Sequence, residues 1–203
     1  MSKFIWRILI LISTSYGIYG GVYMAAGEPN SGFLLYYTTQ SNLWCFVFFL
    51  YLMITNRKHP WIKGGITVAI IVTFILYQFV IVPYCLKYGS MHQLFSKEDI
   101  AVHYLSPFLV FMDAILFDKR EDYSWYTPFQ WLLIPILYFS YIVGRTFFHR
   151  PVPEPNHPYL YFFLDIQNIG TKAFIYNLIG IAIIFLAVGY FVVLIHQIKT
   201  RTS

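Results

Sequence analysis

Apolar residues dominate this chain in long runs that are separated by short polar connections. A segment that crosses a bilayer must satisfy its own backbone hydrogen bonds, so it forms a helix of roughly 20 residues to cross about 30 Å. Six runs have about this length, and their ranges are 8–27, 33–54, 64–86, 101–117, 128–148 and 173–195. The fourth is short, and we expect its helix to begin a few residues earlier. The pattern predicts an all-α polytopic membrane protein, with six transmembrane helices in a single bundle over residues 1–203.

The composition agrees with a membrane protein. Hydrophobic residues make up 58% of the chain and charged residues only 11%, against roughly 25% in a typical soluble domain. The 14 basic residues are scattered over short loops, so no nucleic-acid surface is expected. If the N-terminus is cytoplasmic, nine of them fall on the cytoplasmic side, namely Lys3, Arg7, Arg57, Lys58, Lys63, Lys119, Arg120, Lys199 and Arg201. Basic loops favour the cytoplasm, so both termini are predicted to lie inside.

A dense polar cluster, 36–42, opens the second apolar run. Side-chain polar groups within hydrocarbon need partners, so such a cluster is a functional-site hypothesis. The second and fourth predicted helices both run inward from the outer face, which places Thr38 and His103 at similar depth, about 8 Å below the boundary for Thr38. Asn42 lies one turn below Thr38 on the same face, and Ser41 shares that face approximately.

Thr38 and His103 are a candidate nucleophile and general base. A threonine hydroxyl is a poor nucleophile until a base accepts its proton, and histidine suits that role near neutral pH. Ser41, Asn42 or an unwound backbone amide are candidate donors to an oxyanion. Two structural alternatives stay open from the residues alone. Thr38 can bond back to its own helix, and His103 can be an interfacial histidine at a helix end.

Asp113, Arg145, Asp165 and Asn168 are further candidates for a substrate site. Asp113 lies about 15 Å along the helix from His103, too far to orient it, so we expect it to pair with another helix, stay protonated or border a lower cavity. Arg145 suits a carboxylate or an anionic head group, although it can equally extend to the interface. Asp165 and Asn168 are expected to orient His103, close the site or cap a loop.

The connection 149–172 is the most unusual of the chain. Its prolines between 150 and 158 forbid regular helix, whereas 159–165 is too apolar for a solvated loop. We therefore predict a re-entrant or interfacial segment that covers the outer end of the bundle. Within the apolar runs, three prolines are predicted to kink their helices, namely Pro83, Pro107 and Pro135. Three histidines are interpreted as loop or terminal residues, namely His59, His92 and His196.

Three segments resemble the androgen-induced protein family, which includes the androgen-dependent regulator of tissue factor pathway inhibitor. Tyr37-Thr38, followed by an aromatic-rich span ending Phe46-Val47-Phe48-Phe49, resembles the family's second helix. The segment 103–113 resembles its histidine-bearing helix, with a proline nearby and an acidic residue ten positions on. The segment 161–170 resembles its aromatic, acidic, glycine-containing stretch before the last helix. The order of the three segments and the six-helix layout supply the specificity of this resemblance.

The resemblance implies a membrane-embedded threonine hydrolase that splits fatty-acid esters of hydroxy fatty acids. The family threonine matches Thr38, with Thr39 as the alternative after a one-residue slip, and the family histidine matches His103. The proline after His103 is displaced by one residue, and the polar segment 40–42 replaces less polar positions. The second difference bears on the substrate more than on the chemistry. The sequence of residues 39–42 resembles a bacterial branch of the family, which implies a bacterial cell membrane. The predicted topology puts the site toward the outer leaflet.

The predicted partners are a lipid ester substrate and membrane lipids, without a metal or organic cofactor. The main rival is a small proton-coupled transporter or lipid-binding membrane protein that uses Asp113 as proton carrier and Arg145 as anion site. A haem-carrying electron-transfer protein is a third class, which would normally need paired intramembrane histidines. His149, Glu154 and His157 are close in sequence only, which does not make a metal site.

Overall fold

The computed structural model describes residues 2–24, 31–88, 94–148 and 159–199. Of these residues, 88% are helical and none lies in a β-strand, so the predicted all-α class is confirmed. The α-helices in the described ranges are α1 (Lys3–Tyr19), α2 (Tyr37–Thr55), α3 (Pro60–Leu76), α4 (Val82–Tyr88), α5 (Lys97–Ile100), α6 (Ser106–Phe117), α7 (Thr127–Trp131), α8 (Leu133–Phe147) and α9 (Ile166–Lys199). Short π-helical turns follow α1, α3 and α5 at Gly20–Met24, Tyr77–Ile81 and Ala101–Leu105. Single 3₁₀ turns lie at Ser31–Leu35, Arg120–Asp122 and Phe162–Leu164.

Five helical stretches are long and apolar enough to cross a membrane. They are Lys3–Val22, Pro60–Tyr88, Lys97–Phe117, Thr127–Arg145 and Ile166–Ile198, and they are compatible with a multi-pass membrane protein. The fourth predicted helix does begin a few residues early, at Lys97. Helix α2 has 19 residues but is not among the five, because its first six residues are polar or tyrosine. The predicted count of six spanning helices is therefore not confirmed, and α2 lies in the bundle against α1 and α3.

Prolines account for two of the π-helical turns. Proline has no N–H, and its ring clashes with the carbonyl four residues earlier, so a regular ladder cannot continue through it. Pro83 and Pro107 are each the second residue of a helix, α4 and α6. Directly before them, the Val82 N–H bonds to the Tyr77 carbonyl and the Ser106 N–H to the Ala101 carbonyl, five residues back. The disturbance predicted at these prolines thus takes the form of a π turn, a feature that is frequent at functional sites.

Helix α3 forms the centre of the bundle and packs against α2, α6 and α9. Its residues Val68, Ala69 and Val72 are buried. At its start, Gly64 leaves room for the indole of Trp131, since a Cβ at this position would stand 2.1 Å from Trp131 Cζ2. The Trp131 indole donates to the Trp61 carbonyl at 2.9 Å, so the large ring is buried with its polar atom satisfied.

Helix boundaries differ from the sequence prediction at both ends of the chain. Helix α1 begins at Lys3 rather than residue 8, and α9 begins at Ile166 rather than residue 173. The side chain of Asp165 accepts hydrogen bonds from the Gln167 and Asn168 amides, at 3.2 and 3.3 Å, and so starts α9 as an N-cap. Gly170, with φ of 77°, then kinks the helix in a conformation that glycine tolerates best.

The predicted covering segment is described only in its second half, since residues 149–158 lie outside the described ranges. Phe163 and Leu164 are buried, which agrees with a segment too apolar to be a solvated loop. The interpretation of His196 as a terminal residue is wrong. It is buried in α9, with Nδ1 2.7 Å from the Val192 carbonyl and Nε2 3.0 Å from the Ala114 carbonyl. His92 lies outside the described residues.

Candidate active site

Thr38 and His103 are hydrogen-bonded to each other. Thr38 is the second residue of α2, His103 is the middle residue of the π turn before α6, and Thr38 Oγ1 lies 3.1 Å from His103 Nε2. The proximity expected from their matching depth is therefore present. Both residues are partly rather than fully buried. The end of the bundle that holds Thr38 and His103 is here called the site end. Thr38 does not bond back to its own helix through its hydroxyl in the described part of the chain.

The partners of His103 determine which ring nitrogen carries the proton. Nδ1 lies 2.8 Å from Oδ1 of Asp99 and 3.1 Å from the Asp99 backbone carbonyl. A carboxylate and a carbonyl can only accept, so Nδ1 carries a proton. In the imidazole tautomer with its single proton on Nδ1, the lone pair of Nε2 accepts the hydroxyl proton of Thr38. The three residues form a chain in which a carboxylate orients a base and the base meets a nucleophile.

Asp99 is the functional residue that the sequence analysis missed. It lies one turn before His103, and this i,i+4 spacing of an acid and a histidine was the available signal. Its second oxygen, Oδ2, accepts from the Phe95 amide at 2.9 Å and from the Tyr77 hydroxyl. Ser96 caps the same helix by accepting from the Asp99 amide at 3.2 Å. The carboxylate is thus held by donors on both oxygens.

Tyr77 supports the histidine from a second helix. Its ring stacks on the imidazole of His103 with centroids 3.7 Å apart and planes 17° from parallel. Tyr77 begins the π turn before Pro83, and His103 lies in the π turn before Pro107, so both stacked rings lie in widened turns. The extra residue in each turn rotates these side chains relative to a regular helix, and proline is the local cause.

Ser41 and Asn42 hold the backbone of Thr38 rather than pointing donors at a ligand. Ser41 Oγ donates to the Thr38 carbonyl at 3.0 Å and also lies 2.8 Å from Thr73 Oγ1. The Asn42 amide donates to the carbonyls of Thr38 at 2.9 Å and Val102 at 3.2 Å. Both side chains are fully buried. Their predicted roles as substrate or oxyanion donors are therefore corrected, because their N–H and O–H groups already have acceptors.

Two backbone amides in the first turn of α2 have no acceptor among the described residues. In the first turn of a helix the N–H groups have no intrahelical partner. The Tyr37 N–H donates to the hydroxyl of Tyr161 at 2.8 Å, whereas those of Thr38 and Thr39 have no acceptor in the described part of the chain. Burial raises the pKa of Tyr161 above its usual range, so this capping hydroxyl stays neutral. The Thr39 side chain is almost fully buried and does not contact His103.

Asp113 belongs to a buried ion cluster at the opposite end of the bundle, which corrects its assignment to the substrate site. Its Oδ2 lies 2.5 Å from Lys63 Nζ and its Oδ1 3.4 Å from Arg7 Nε, while Lys63 also pairs with Asp118. The cluster of Arg7, Lys63, Asp113 and Asp118 joins α1, α3 and the end of α6. The expected pairing with another helix is present. Two cations balance two carboxylates, which is the arrangement that makes buried charge tolerable.

Arg145, Asp165 and Asn168 do not contact His103. Arg145 approaches the Tyr141 hydroxyl at 3.5 Å near the end of α8. Asp165 caps α9 and accepts from the Asn168 amide side chain at 2.6 Å, which is the loop-capping alternative. Among the described residues, no group of three or more His, Cys, Asp or Glu side chains could hold a metal ion.

No family model, curated protein or solved structure matches this chain. The functional information therefore comes from the chain's own geometry. A hydroxyl, an imidazole and a carboxylate aligned by hydrogen bonds, beside free backbone amides, are the groups that acyl transfer requires.

Proposed function

We propose that this protein is a membrane-embedded hydrolase that cleaves lipid esters, with Thr38 as nucleophile and His103 as general base. The observation that carries the proposal is the continuous hydrogen-bonded chain from Thr38 Oγ1 through the imidazole of His103 to the carboxylate of Asp99. This tautomer leaves Nε2 ready to accept a proton, which is the state a general base needs.

The reaction follows from these positions. Thr38 Oγ1 attacks the ester carbonyl while Nε2 of His103 takes the hydroxyl proton, and Asp99 stabilises the imidazolium that forms. The carbon–oxygen bond to the leaving group then breaks, and His103 donates the proton to the departing alkoxide, which leaves as the alcohol. The acyl group stays bound to Thr38 Oγ1 as an ester. Water attacks this ester in the same way, with its proton passing to His103 and then to Thr38. The products are one alcohol and one carboxylic acid.

The oxyanion of each tetrahedral intermediate has donors in the first turn of α2. The N–H groups of Thr38 and Thr39 have no acceptor in the described ranges and belong to a helix N-terminus, where the helix dipole favours negative charge. Ser41 and Asn42 contribute by fixing the Thr38 carbonyl and therefore the direction of these amides. The sequence offered Ser41, Asn42 or a backbone amide as donors to the oxyanion. The hydrogen bonds of Ser41 and Asn42 to other acceptors support the backbone amide.

The substrate class rests on the resemblance to the androgen-induced protein family, which points to fatty-acid esters of hydroxy fatty acids. The distribution of basic residues supports an orientation with both termini in the cytoplasm and the site end toward the outer leaflet. The proposal of a bacterial cell membrane rests on the resemblance. The rival transporter needs Asp113 to exchange protons, and this carboxylate is fully buried between two cations. A transporter of this kind would show substrate uptake that depends on a pH gradient, and the Thr38→Ala variant would retain that uptake.

The test is an esterase assay and fluorophosphonate labelling of the purified wild type and three variants in detergent. Thr38→Ala and His103→Ala are each expected to lower kcat/KM at least about a hundredfold, since a positioned base contributes about 10² to 10⁴. Thr39→Ala keeps the backbone N–H and should retain most activity. Full activity in Thr38→Ala, or loss of labelling only in Thr39→Ala, would overturn the assignment of the nucleophile.

A further inference from the structure

A large apolar groove lies between α2 and α8, on the opposite face of α2 from Thr38. It encloses about 990 Å³, and its walls include Leu43 and Val47 of α2 and Leu137 of α8. Val47 and Leu137 are more than half exposed, so the groove opens sideways between the helices. In a spanning bundle this opening faces the acyl chains of the bilayer. We call it the α2–α8 groove.

The groove is separate from the candidate active site. Gln40, Leu43 and Val47 recur at spacings of three and four residues and so share one helix face. Thr38, Asn42 and Cys45 form the other face and are turned toward the interior. The body of α2 therefore stands between His103 and the groove. A ligand in the groove does not need the hydrolase chemistry, so this inference is independent of the proposed function.

The shape of the groove suits one extended chain. From Gln40 to Tyr51 it follows α2 for 11 residues, which corresponds to about 16 Å of helix axis. Gly65 and Ile66 of α3 form part of its floor. Because the groove opens to lipid, an acyl chain that enters it exchanges one apolar surface for another and gains van der Waals packing. The length and apolar lining of the groove thus fit a single acyl chain, and its selectivity depends on the polar end.

The charge at one end favours an anionic head group. Tyr141 lines the groove at the site end, and the guanidinium of Arg145 approaches its hydroxyl and ring. Arg145 has no carboxylate partner among the described residues. Guanidinium binds carboxylates in bidentate fashion, and the groove offers no acidic side chain in its lining that would repel one.

We propose that the α2–α8 groove binds a single long-chain fatty acid, with its chain between α2 and α8 and its carboxylate on Arg145. The other polar end carries His59 and Tyr51, which are hydrogen-bonded to each other at 2.9 Å. Because these two side chains already bond to each other, this end is the weaker site for an anion. Arg145 therefore sets the direction of the chain in the groove.

The experiment uses full-length protein in nanodiscs of phosphatidylcholine and a diazirine-bearing fatty acid, with the matched fatty alcohol as neutral probe. Cross-linked peptides are mapped by mass spectrometry. The acid should label α2 and α8. Arg145→Gln should lower labelling by the acid about tenfold, because a charge-assisted bond is lost, and labelling by the alcohol less than twofold. Leu137→Trp should lower labelling by both probes.

Three controls make the outcome decisive. Ile183→Trp alters an equally exposed apolar position of α9 and should leave labelling unchanged. Lys58→Gln removes a charge beside His59 and should also have no effect. Thr38→Ala should label like the wild type. Four results would each overturn the proposal. The probes could label all lipid-facing helices equally, or the acid could label Arg145→Gln as strongly as the wild type. Thr38→Ala could lose its labelling, or a second copy that cross-links as a dimer could occupy the groove.

Discussion

Asp99 offers the sharpest test of the proposed catalytic chain, because two substitutions should rank in an unusual order. The side chain of an asparagine at this position has one carbonyl oxygen, which accepts, and one NH₂ group, which donates. The carbonyl oxygen is favoured at the position where Tyr77 and Phe95 both donate, so the NH₂ group faces Nδ1 of His103. A donor there forces the proton onto Nε2, and the ring can no longer accept the proton of Thr38.

Alanine at position 99 removes the carboxylate but leaves the backbone carbonyl, which lies 3.1 Å from Nδ1. The useful tautomer therefore persists in Asp99→Ala. We expect Asp99→Asn to lose about 10² to 10⁴ in kcat/KM, or about 3 to 5 kcal/mol of transition-state stabilisation, which is the full contribution of a general base. Asp99→Ala should lose clearly less, despite being the larger change in the side chain.

The assay is ester hydrolysis with the initial rate of fluorophosphonate labelling as a second readout, both on protein that elutes as the wild type in size-exclusion chromatography. Glu98→Gln is the matched control, because Glu98 is an adjacent carboxylate that contacts Tyr16 and not His103. It should change the rate less than about twofold, since exposed polar contacts contribute little. Asp99→Asn activity equal to or above that of Asp99→Ala would refute the tautomer argument.

Three further variants test other parts of the structure. Pro107→Ala restores a backbone donor, which should convert the π turn to regular helix, rotate His103 and lower kcat/KM at least tenfold without a loss of fold in circular dichroism. Asp113→Asn leaves buried cations unbalanced and should cost about 3 to 5 kcal/mol by chemical denaturation, while the folded fraction stays active. Tyr161→Phe removes the acceptor of the Tyr37 N–H and should cost about 1 kcal/mol, measured as a lower melting temperature; wild-type values would contradict each expectation.

The hydrophobic pattern by itself determined the helical class and most of the helix positions. This is because burial of long apolar runs depends on local composition, which a sequence shows directly. The same pattern leaves α2 unconfirmed as a spanning helix, because its polar first turn lowers its hydropathy. It also omits the short turn before the Gly170 kink, where Asp165 caps the start of α9. Residue count along parallel helices was also enough to predict that Thr38 and His103 lie at similar depth, whereas their contact follows from the packing.

Only the tertiary structure decided which face each polar side chain presents and what it meets there. The π turns before Pro83 and Pro107 rotate Tyr77 and His103 toward each other, a rotation that hydropathy cannot show. Packing likewise directs Ser41 and Asn42 onto the Thr38 carbonyl, moves Asp113 into an ion cluster and identifies Asp99 as the partner of His103. Hydrogen bonds depend on a few tenths of an ångström and on angle, so residue types along the chain do not determine them until the helices have packed.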